Sequence, residues 1–268
     1  FRSVSLRYLP DFSIEDLWIN TDYEAGQGFA TLELRVRGAQ SETLEANLEI
    51  EGLGTSVLTL ARGEDGRYRS ENIGLGNVQP WSAQSPKLYA ARVQVAGEGG
   101  RKTEKRHLRL GFRRVEIVDG VLRANGQPLT LNGVNRHEIR ADEGRVFSEE
   151  FARADLELMK SMGINAIRTS HYPPHPRLLD LADEIGLWVM IEGDIETVLR
   201  VIARGLITPL MIRAGKPPTS TALNALLSAT RTMPAFSAGA WGTNLEQVAT
   251  WRHLRIGSMN APMGEGSS

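Results

Sequence analysis

Alternating apolar and polar positions dominate residues 1–113. In Ala30–Val36 and Leu44–Ile50 every second side chain is apolar, which is typical of strands with one buried and one solvated face. Glycine clusters at Gly52–Gly54, Gly63–Gly66 and Gly97–Gly100 separate such runs at the intervals common in β-sandwiches. We therefore predict an antiparallel β-sandwich over residues 1–113.

The pattern changes to alternating strands and helices over residues 114–197. Predicted strands at Leu129–Val134, Ile164–Ile167 and Leu187–Ile191 are separated by predicted helices at Phe147–Met162 and Pro176–Ile185. This order predicts right-handed crossovers and a parallel sheet. On pattern alone, the start of a barrel and a doubly wound sheet fit equally well.

The first predicted helix carries clear end signals. Ser148 suits the N-cap, and Gly163 suits the left-handed position after the last turn. The apolar residues of this helix recur mostly at three- and four-residue steps, which predicts one buried stripe. That stripe consists of Phe151, Ala154, Leu158, Met159 and Met162.

Two shorter segments connect these regions. Pro80-Trp81-Ser82 precedes a late strand, and we assign it to the packed core of the sandwich. Val115–Ile117 and Leu122–Ala124 predict a short hairpin, turning at Asn125-Gly126, that leads into the second region.

Composition excludes several classes of protein. The 268 residues have a formal net charge of −1, which argues against a general nucleic-acid or anionic-membrane binder. The absence of cysteine excludes disulfides and Cys-ligated zinc and fits a reducing compartment, so we expect a cytoplasmic location. No apolar run approaches the roughly 20 residues of a membrane-spanning helix.

Residues 198–268 differ in composition from the rest of the chain. Of the 32 acidic residues only Glu246 and Glu265 lie there, whereas globular surfaces usually intersperse both signs. We therefore predict an irregular tail over 198–268, either an out-of-frame translation or a disordered region.

Chemically versatile side chains follow each predicted strand of the second region. In a parallel barrel such strand ends meet at one rim, where His, Arg and carboxylate groups can recognise sugar hydroxyls. The residues are His137 and Glu138 after the first strand, Arg168 and His171 after the second, and Glu192, Asp194 and Glu196 after the third.

Three segments carry a resemblance to a known family. LNGVNRHE (Leu131–Glu138), AIRTSHYPPHP (Ala166–Pro176) and IEGDIET (Ile191–Thr197) resemble glycoside hydrolase family 2, and within it the β-galactosidases. The resemblance covers about residues 1–197. It implies a fragment with an immunoglobulin-like β-sandwich over 1–113, followed over 114–197 by the first βα units of a TIM (β/α)8 barrel.

The resemblance also implies roles for individual residues. His137 and His171 match positions that contact the substrate sugar in family β-galactosidases. Arg168 lies beside them and orients neighbouring carboxylates, although an ion pair that locks the barrel rim is an equally good interpretation. Glu138 and Glu192 match supporting positions.

A divalent cation, usually magnesium, is implied near the acid/base residue of the family. Glu196 matches the glutamate of the IETHG segment that binds it, but Val198 replaces the family histidine two residues later. Because magnesium prefers near-octahedral oxygen coordination, we expect an incomplete site.

Neither catalytic glutamate is identified in this sequence. The family's acid/base residue belongs to a WSLGNE-type motif after the fourth strand, and its nucleophile lies further downstream. A substitute pair made of Glu138 and Glu192 is the alternative. A shifted reading frame over Leu227–Leu245 can spell the family's acid/base motif, which is our hypothesis for the tail; a genuine helical or disordered region is the competing interpretation.

The function implied by the resemblance is retaining hydrolysis of terminal β-D-galactosides, with a β-galactoside as the partner. We expect this chain itself to be inactive. The alternatives are a related family 2 activity such as β-glucuronidase, or a non-catalytic β-sandwich and barrel fragment.

Overall fold

The computed structural model describes residues 4, 6, 8–96 and 104–192. The sandwich strands are β1 (Ser13–Glu24), β2 (Gln27–Arg37), β3 (Thr43–Ile50), β4 (Gly54–Arg62), β5 (Tyr68–Ser70), β6 (Ile73–Asn77), β7 (Tyr89–Val95) and β8 (Glu104–Leu110). The remaining elements are β9 (Val115–Val118), β10 (Val121–Ala124), β11 (Gln127–Pro128), β12 (Gly133–Arg136), α1 (Glu149–Ser161), β13 (Ala166–Thr169), α2 (Pro176–Ile185) and β14 (Trp188–Ile191).

The first eight strands form an antiparallel sheet that folds over one core. Their order is β1-β2-β5-β4-β3-β7-β8, with β6 paired to β2. The two ends of this path approach each other, because Arg106 Nη2 donates to the Ile14 carbonyl at 2.9 Å and Thr21 Oγ1 donates to the Gly111 carbonyl at 2.8 Å. The sheet thus forms the two layers of the predicted sandwich.

The period-two prediction is confirmed in β2 and β3. Burial alternates along both strands, and every second residue of β3 from Leu44 to Ile50 is no more than 4% exposed. These side chains pack with Val93 of β7, Leu110 of β8 and Phe112, which follows β8. Each fully buried aliphatic side chain contributes about 1.5–3 kcal/mol.

A small three-stranded sheet of β9, β10 and β11 connects the sandwich to the second unit. The predicted hairpin strands are confirmed, but β9 and β10 are joined by a turn at Asp119-Gly120, where both residues have positive φ. Asn125-Gly126, the predicted turn, instead joins β10 to β11. In both pairs the two residues have positive φ, as two-residue type I′ hairpin turns require.

The second unit is a parallel sheet, β12-β13-β14, with α1 and α2 as the connecting helices. The predicted helix Pro176–Ile185 is confirmed. The predicted strand Leu129–Val134 was wrong in its bounds, since β12 begins at Gly133. The Asn165 side chain accepts a hydrogen bond from the Asn132 N–H and donates one to the Thr130 carbonyl. These bonds hold the residues before Gly133 outside the backbone pairing of β12 with β13.

The predicted buried stripe of α1 was wrong in most of its members. Ala152 and Leu156 are the buried residues of the helix, and Met159 is partly buried against the same cluster. Phe151, Leu158 and Met162 are 44%, 54% and 68% exposed. The helix carries two overlapping apolar stripes, and packing against the parallel sheet selects the one through Ala152 and Leu156.

Trp81 joins the two units. The sandwich-core assignment was wrong for this residue, because it is fully buried in the second core, edge-on to Trp188 at 4.9 Å between ring centroids. Its Nε1 donates to the Asp183 carbonyl at 2.9 Å. Nearby, Lys160 Nζ donates to the Gly186 carbonyl at 2.6 Å and also to that of Ala83.

Glu184 in α2 adds an ionic link between the same two units. It accepts hydrogen bonds from Arg109 of β8 at 2.7 Å, Arg153 of α1 at 2.6 Å and Arg177 of α2 at 3.0 Å. Burial by itself would raise the pKa of Glu184, but the three guanidinium donors outweigh it and lower the pKa to about 2.

Candidate functional site

The candidate site lies at the edge of the parallel sheet where the three strands end. His137 and Glu138 follow β12, His171 is the second residue after β13, and Glu192 comes directly after β14. Parallel strands bring their carboxyl ends to one edge, which is why residues far apart in sequence meet there. In the part of the chain that the structure describes, the side chains of His137, His171 and Glu192 lie close together at this edge.

Glu192 is the centre of this rim. Its Oε1 accepts from Arg168 Nε at 2.5 Å, and its Oε2 lies 3.1 Å from His171 Nδ1. Arg168 Nη1 donates in turn to Asn135 Oδ1 at 3.1 Å. One carboxylate therefore holds an arginine and a histidine whose predicted roles are to contact or organise a sugar.

Strand register explains why these groups meet. Asn135 pairs with Arg168 across β12 and β13, and Arg168 pairs with Met190 across β13 and β14, so the three share one face of the sheet. Thr169 Oγ1 accepts from the backbone N–H of Glu192 at 3.1 Å and fixes the end of β14 to β13.

Two imidazole rings and a phenol ring form the outer part of the site. The exposed ring of His137 lies edge-on to His171, with 5.6 Å between centroids, and 6.0 Å from the ring of Tyr172. The guanidinium of Arg145 lies over the Tyr172 ring at 3.6 Å. Polar and aromatic groups of this kind can hydrogen-bond hydroxyls and cover the apolar face of a sugar.

Glu138 faces inward and holds the loop that carries His171. It is 8% exposed, and its Oε1 accepts from the His175 N–H at 2.6 Å. The backbone N–H of Glu138 donates to the Tyr172 hydroxyl at 2.8 Å. The peptide bond between Ser170 and His171 is cis. Glu138 thus contacts both ends of the Tyr172–His175 segment.

His175 connects this loop to α2. Its Nδ1 accepts from the Arg177 N–H at 3.2 Å and so caps the helix, while its ring stacks on Phe147 with 3.9 Å between centroids. Sequence reasoning missed Asn135, Tyr172 and His175. All three lie within the motifs quoted above, but their roles depend on register and side-chain contacts that a motif does not specify.

Glu196 and the predicted tail at 198–268 lie outside the described residues. Within residues 4, 6, 8–96 and 104–192, no three His, Asp or Glu side chains are grouped so that they could hold a metal ion. In the same ranges no helix is both long and apolar enough to cross a membrane.

Comparison with protein families gives two adjacent matches. Residues 12–113 match the model described as glycosyl hydrolases family 2, and residues 115–232 match the model of the family 2 TIM barrel domain. The second match runs past Thr197. Together they place a sandwich domain before the start of a TIM barrel domain.

Curated relatives of this chain include β-galactosidases. The chain is 45% identical over 197 residues to β-galactosidase from Arthrobacter sp. (strain B7), covering 74% of this chain and 18% of the relative. It is 36% identical over 209 residues to β-galactosidase from Vibrio vulnificus (strain YJ016), covering 74% and 20%. The chain thus spans about a fifth of the length of these relatives.

Solved structures share the fold at lower identity. Bacteroides uniformis β-glucuronidase 3 matches with a TM-score of 0.66 and 23% identity, covering 86% of this chain and 28% of that one. Ruminococcus gnavus β-glucuronidase matches with a TM-score of 0.68 and 19% identity, covering 85% and 37%. At this identity the likeness shows the fold alone. From the two family matches and the β-galactosidase relatives, we conclude that this chain belongs to glycosyl hydrolase family 2 and is β-galactosidase-like.

Proposed function

We propose that this chain carries part of the sugar-binding site of a retaining glycosidase that hydrolyses terminal β-D-galactosides. The observation that carries the proposal is the single carboxylate of Glu192, which holds Arg168 and His171 beside His137 at the barrel rim. Rigidly held imidazole groups can form selective hydrogen bonds with sugar hydroxyls, since their donors and acceptors are fixed in position before the ligand binds.

The two rim carboxylates serve this site as supports. A retaining glycosidase needs two carboxyl groups about 5–5.5 Å apart, one as nucleophile and one as acid/base. Glu138 already accepts from a backbone N–H, and both oxygens of Glu192 are engaged by other side chains. We therefore propose that neither reacts with substrate and that this chain does not turn over a β-galactoside.

Three finer features belong to the same proposal. The sandwich is immunoglobulin-like, as the family resemblance implies. Magnesium is a cofactor of the complete site through Glu196, where it would neutralise charge near the acid/base residue, but Val198 leaves that site short of a ligand. The location is cytoplasmic, in keeping with the cysteine-free sequence.

A sugar titration tests the binding role. Histidine proton resonances of the chain are followed while methyl β-galactoside or methyl β-glucuronide is added. We expect the galactoside to shift His137 and His171 with a Kd of about 1–10 mM, since only part of a pocket is present. Tighter binding of the glucuronide would instead favour the β-glucuronidase alternative.

Two alanine variants make this titration specific. His171→Ala should weaken galactoside binding about fivefold or more, and His107→Ala, on an exposed position of β8, should leave it unchanged. Absence of any shift at His137 and His171 at saturating galactoside would contradict the proposal and favour a non-catalytic module.

A turnover assay tests the supporting role of the carboxylates. We expect the purified chain to release no product from an aryl β-galactoside. Activity that is lost in Glu192→Gln or Glu138→Gln would make the lost group part of a catalytic pair. Activity that persists in both variants would point to a different catalytic site.

A further inference from the structure

The ring of His171 is engaged on one nitrogen only. Nδ1 lies 3.1 Å from Glu192 Oε2, while 43% of the side chain remains exposed at the rim. Among the residues that the structure describes, none forms a hydrogen bond with Nε2 of this ring. The second nitrogen is thus available to a ligand.

The partner of Nδ1 determines which nitrogen carries the proton. An ionised carboxylate only accepts hydrogen bonds, so Nδ1 must donate to it. The carboxylate of Glu192 also forms an ion pair with the permanently charged guanidinium of Arg168, so it remains an acceptor toward Nδ1. A neutral imidazole with its proton on Nδ1 carries a lone pair on Nε2.

We propose that Glu192 fixes the tautomer of His171, so that Nε2 accepts a hydrogen bond from one hydroxyl of the bound sugar. Glu192 is then a positioning residue that acts through His171. His171 in turn selects sugars that have, at this position, a hydroxyl able to donate a hydrogen bond to Nε2. This inference rests on the proposed sugar-binding function and adds to it the direction of one hydrogen bond. A sugar that carries fluorine at that hydroxyl position cannot donate and is rejected.

The chain supplies two internal comparisons. His175 Nδ1 accepts from the Arg177 backbone N–H, so its proton must lie on Nε2, the opposite tautomer. His107 is exposed on β8 and serves as the reference for a solvated ring. Both can be read in the same spectrum as His171.

Nitrogen-15 NMR of the histidine-labelled full chain measures the tautomer without any ligand. At about pH 8, where an ordinary imidazole is neutral, we expect Nδ1–H for His171 and Nε2–H for His175. Glu192→Ala should move His171 to the tautomer distribution of His107. Glu45→Gln, a matched change at an exposed carboxylate of the sandwich strand β3, should leave the tautomer of His171 unchanged.

The wild-type spectrum alone can overturn the inference, so no variant needs to fold for it to be tested. A His171 ring protonated on Nε2, or on both nitrogens, at that pH would contradict it. A His171 tautomer that Glu192→Ala does not alter would also contradict the positioning role.

Binding measurements with fluorinated galactosides distinguish a failure of this inference from a failure of the proposed function. Among monodeoxyfluoro methyl β-galactosides, we expect one to bind about tenfold more weakly than the parent in the wild type, and this difference to shrink in Glu192→Ala. Equal binding of all of them would overturn the acceptor role. If no galactoside binds at all, the proposed function and the acceptor role both fail, and the ligand-free spectra still decide whether Glu192 sets the tautomer.

Discussion

The two carboxylates of the rim differ in what surrounds them. Glu192 is shared by two charged or polar side chains, whereas Glu138 is buried and bonds the backbone of the loop after β13. A buried acceptor that loses its donor, or a buried donor that loses its acceptor, costs more than the hydrogen bond itself contributes. The family resemblance predicts a supporting role for both residues, but it does not specify which atoms each one contacts.

Replacing Glu138 separates loss of the acceptor from loss of the charge. Glu138→Ala leaves the part-buried His175 N–H without its acceptor, and we expect the free energy of unfolding to fall by about 1–3 kcal/mol. Glu138→Gln keeps an amide oxygen in reach and should cost less. Urea unfolding of both variants measures this, and equal losses would show that the charge, not the acceptor, matters.

At the scale of elements, the periodicity of apolar residues in α1 predicts a helix but does not specify which of its faces is buried. Its apolar positions support two stripes one residue out of phase, and a helix alone does not specify which one meets the sheet. The strands were easier to place, because a one-residue error in β3 would turn every apolar side chain to solvent. Element type was therefore predictable here, while the buried face of the helix was not.

A matched pair of leucines in α1 tests the observed packing. Leu156 is fully buried and Leu158 is 54% exposed, although they are two residues apart on one helix. We expect Leu156→Ala to lower the free energy of unfolding by about 2–5 kcal/mol. Leu158→Ala should change it by less than about 1 kcal/mol, because alanine favours helix and little contact is lost. Chemical denaturation of the two variants gives the comparison. A larger loss of unfolding free energy in Leu158→Ala than in Leu156→Ala would support the buried stripe predicted from the sequence instead.

At the scale of the whole molecule, residues from the sandwich side enter the core of the barrel segment. Trp81 from the sandwich side packs on Trp188, and Gly186 lies so close that an added Cβ would be 2.4 Å from the Ala83 carbonyl. Glu184 connects β8, α1 and α2 across the same junction. The barrel segment is thus held in place by contacts with the preceding domain.

The lowered pKa of Glu184 predicts a pH dependence of this junction. Its folded-state pKa of about 2 lies below the ordinary value of 4.5, so its contribution is full above about pH 4.5 and is lost as the pH falls toward 2. Glu184→Gln should lower the stability by about 1 kcal/mol at neutral pH. Thermal unfolding of both proteins between pH 7 and pH 3 should show this difference shrinking with acid; a constant difference would contradict the ionic role.

Patterns along the chain predict the order of the main elements, the alternation that buries one face of β2 and β3, and the positions of His137, Arg168, His171 and Glu192 near or just after the ends of strands. They can do so because side-chain period and strand direction are local properties of the chain. Three-dimensional packing was needed to establish which stripe of α1 is buried, that Trp81 belongs to the second core, and that Glu192 contacts both Arg168 and His171. Those outcomes depend on which surfaces meet, and a pattern along one segment contains no information about the segment opposite it.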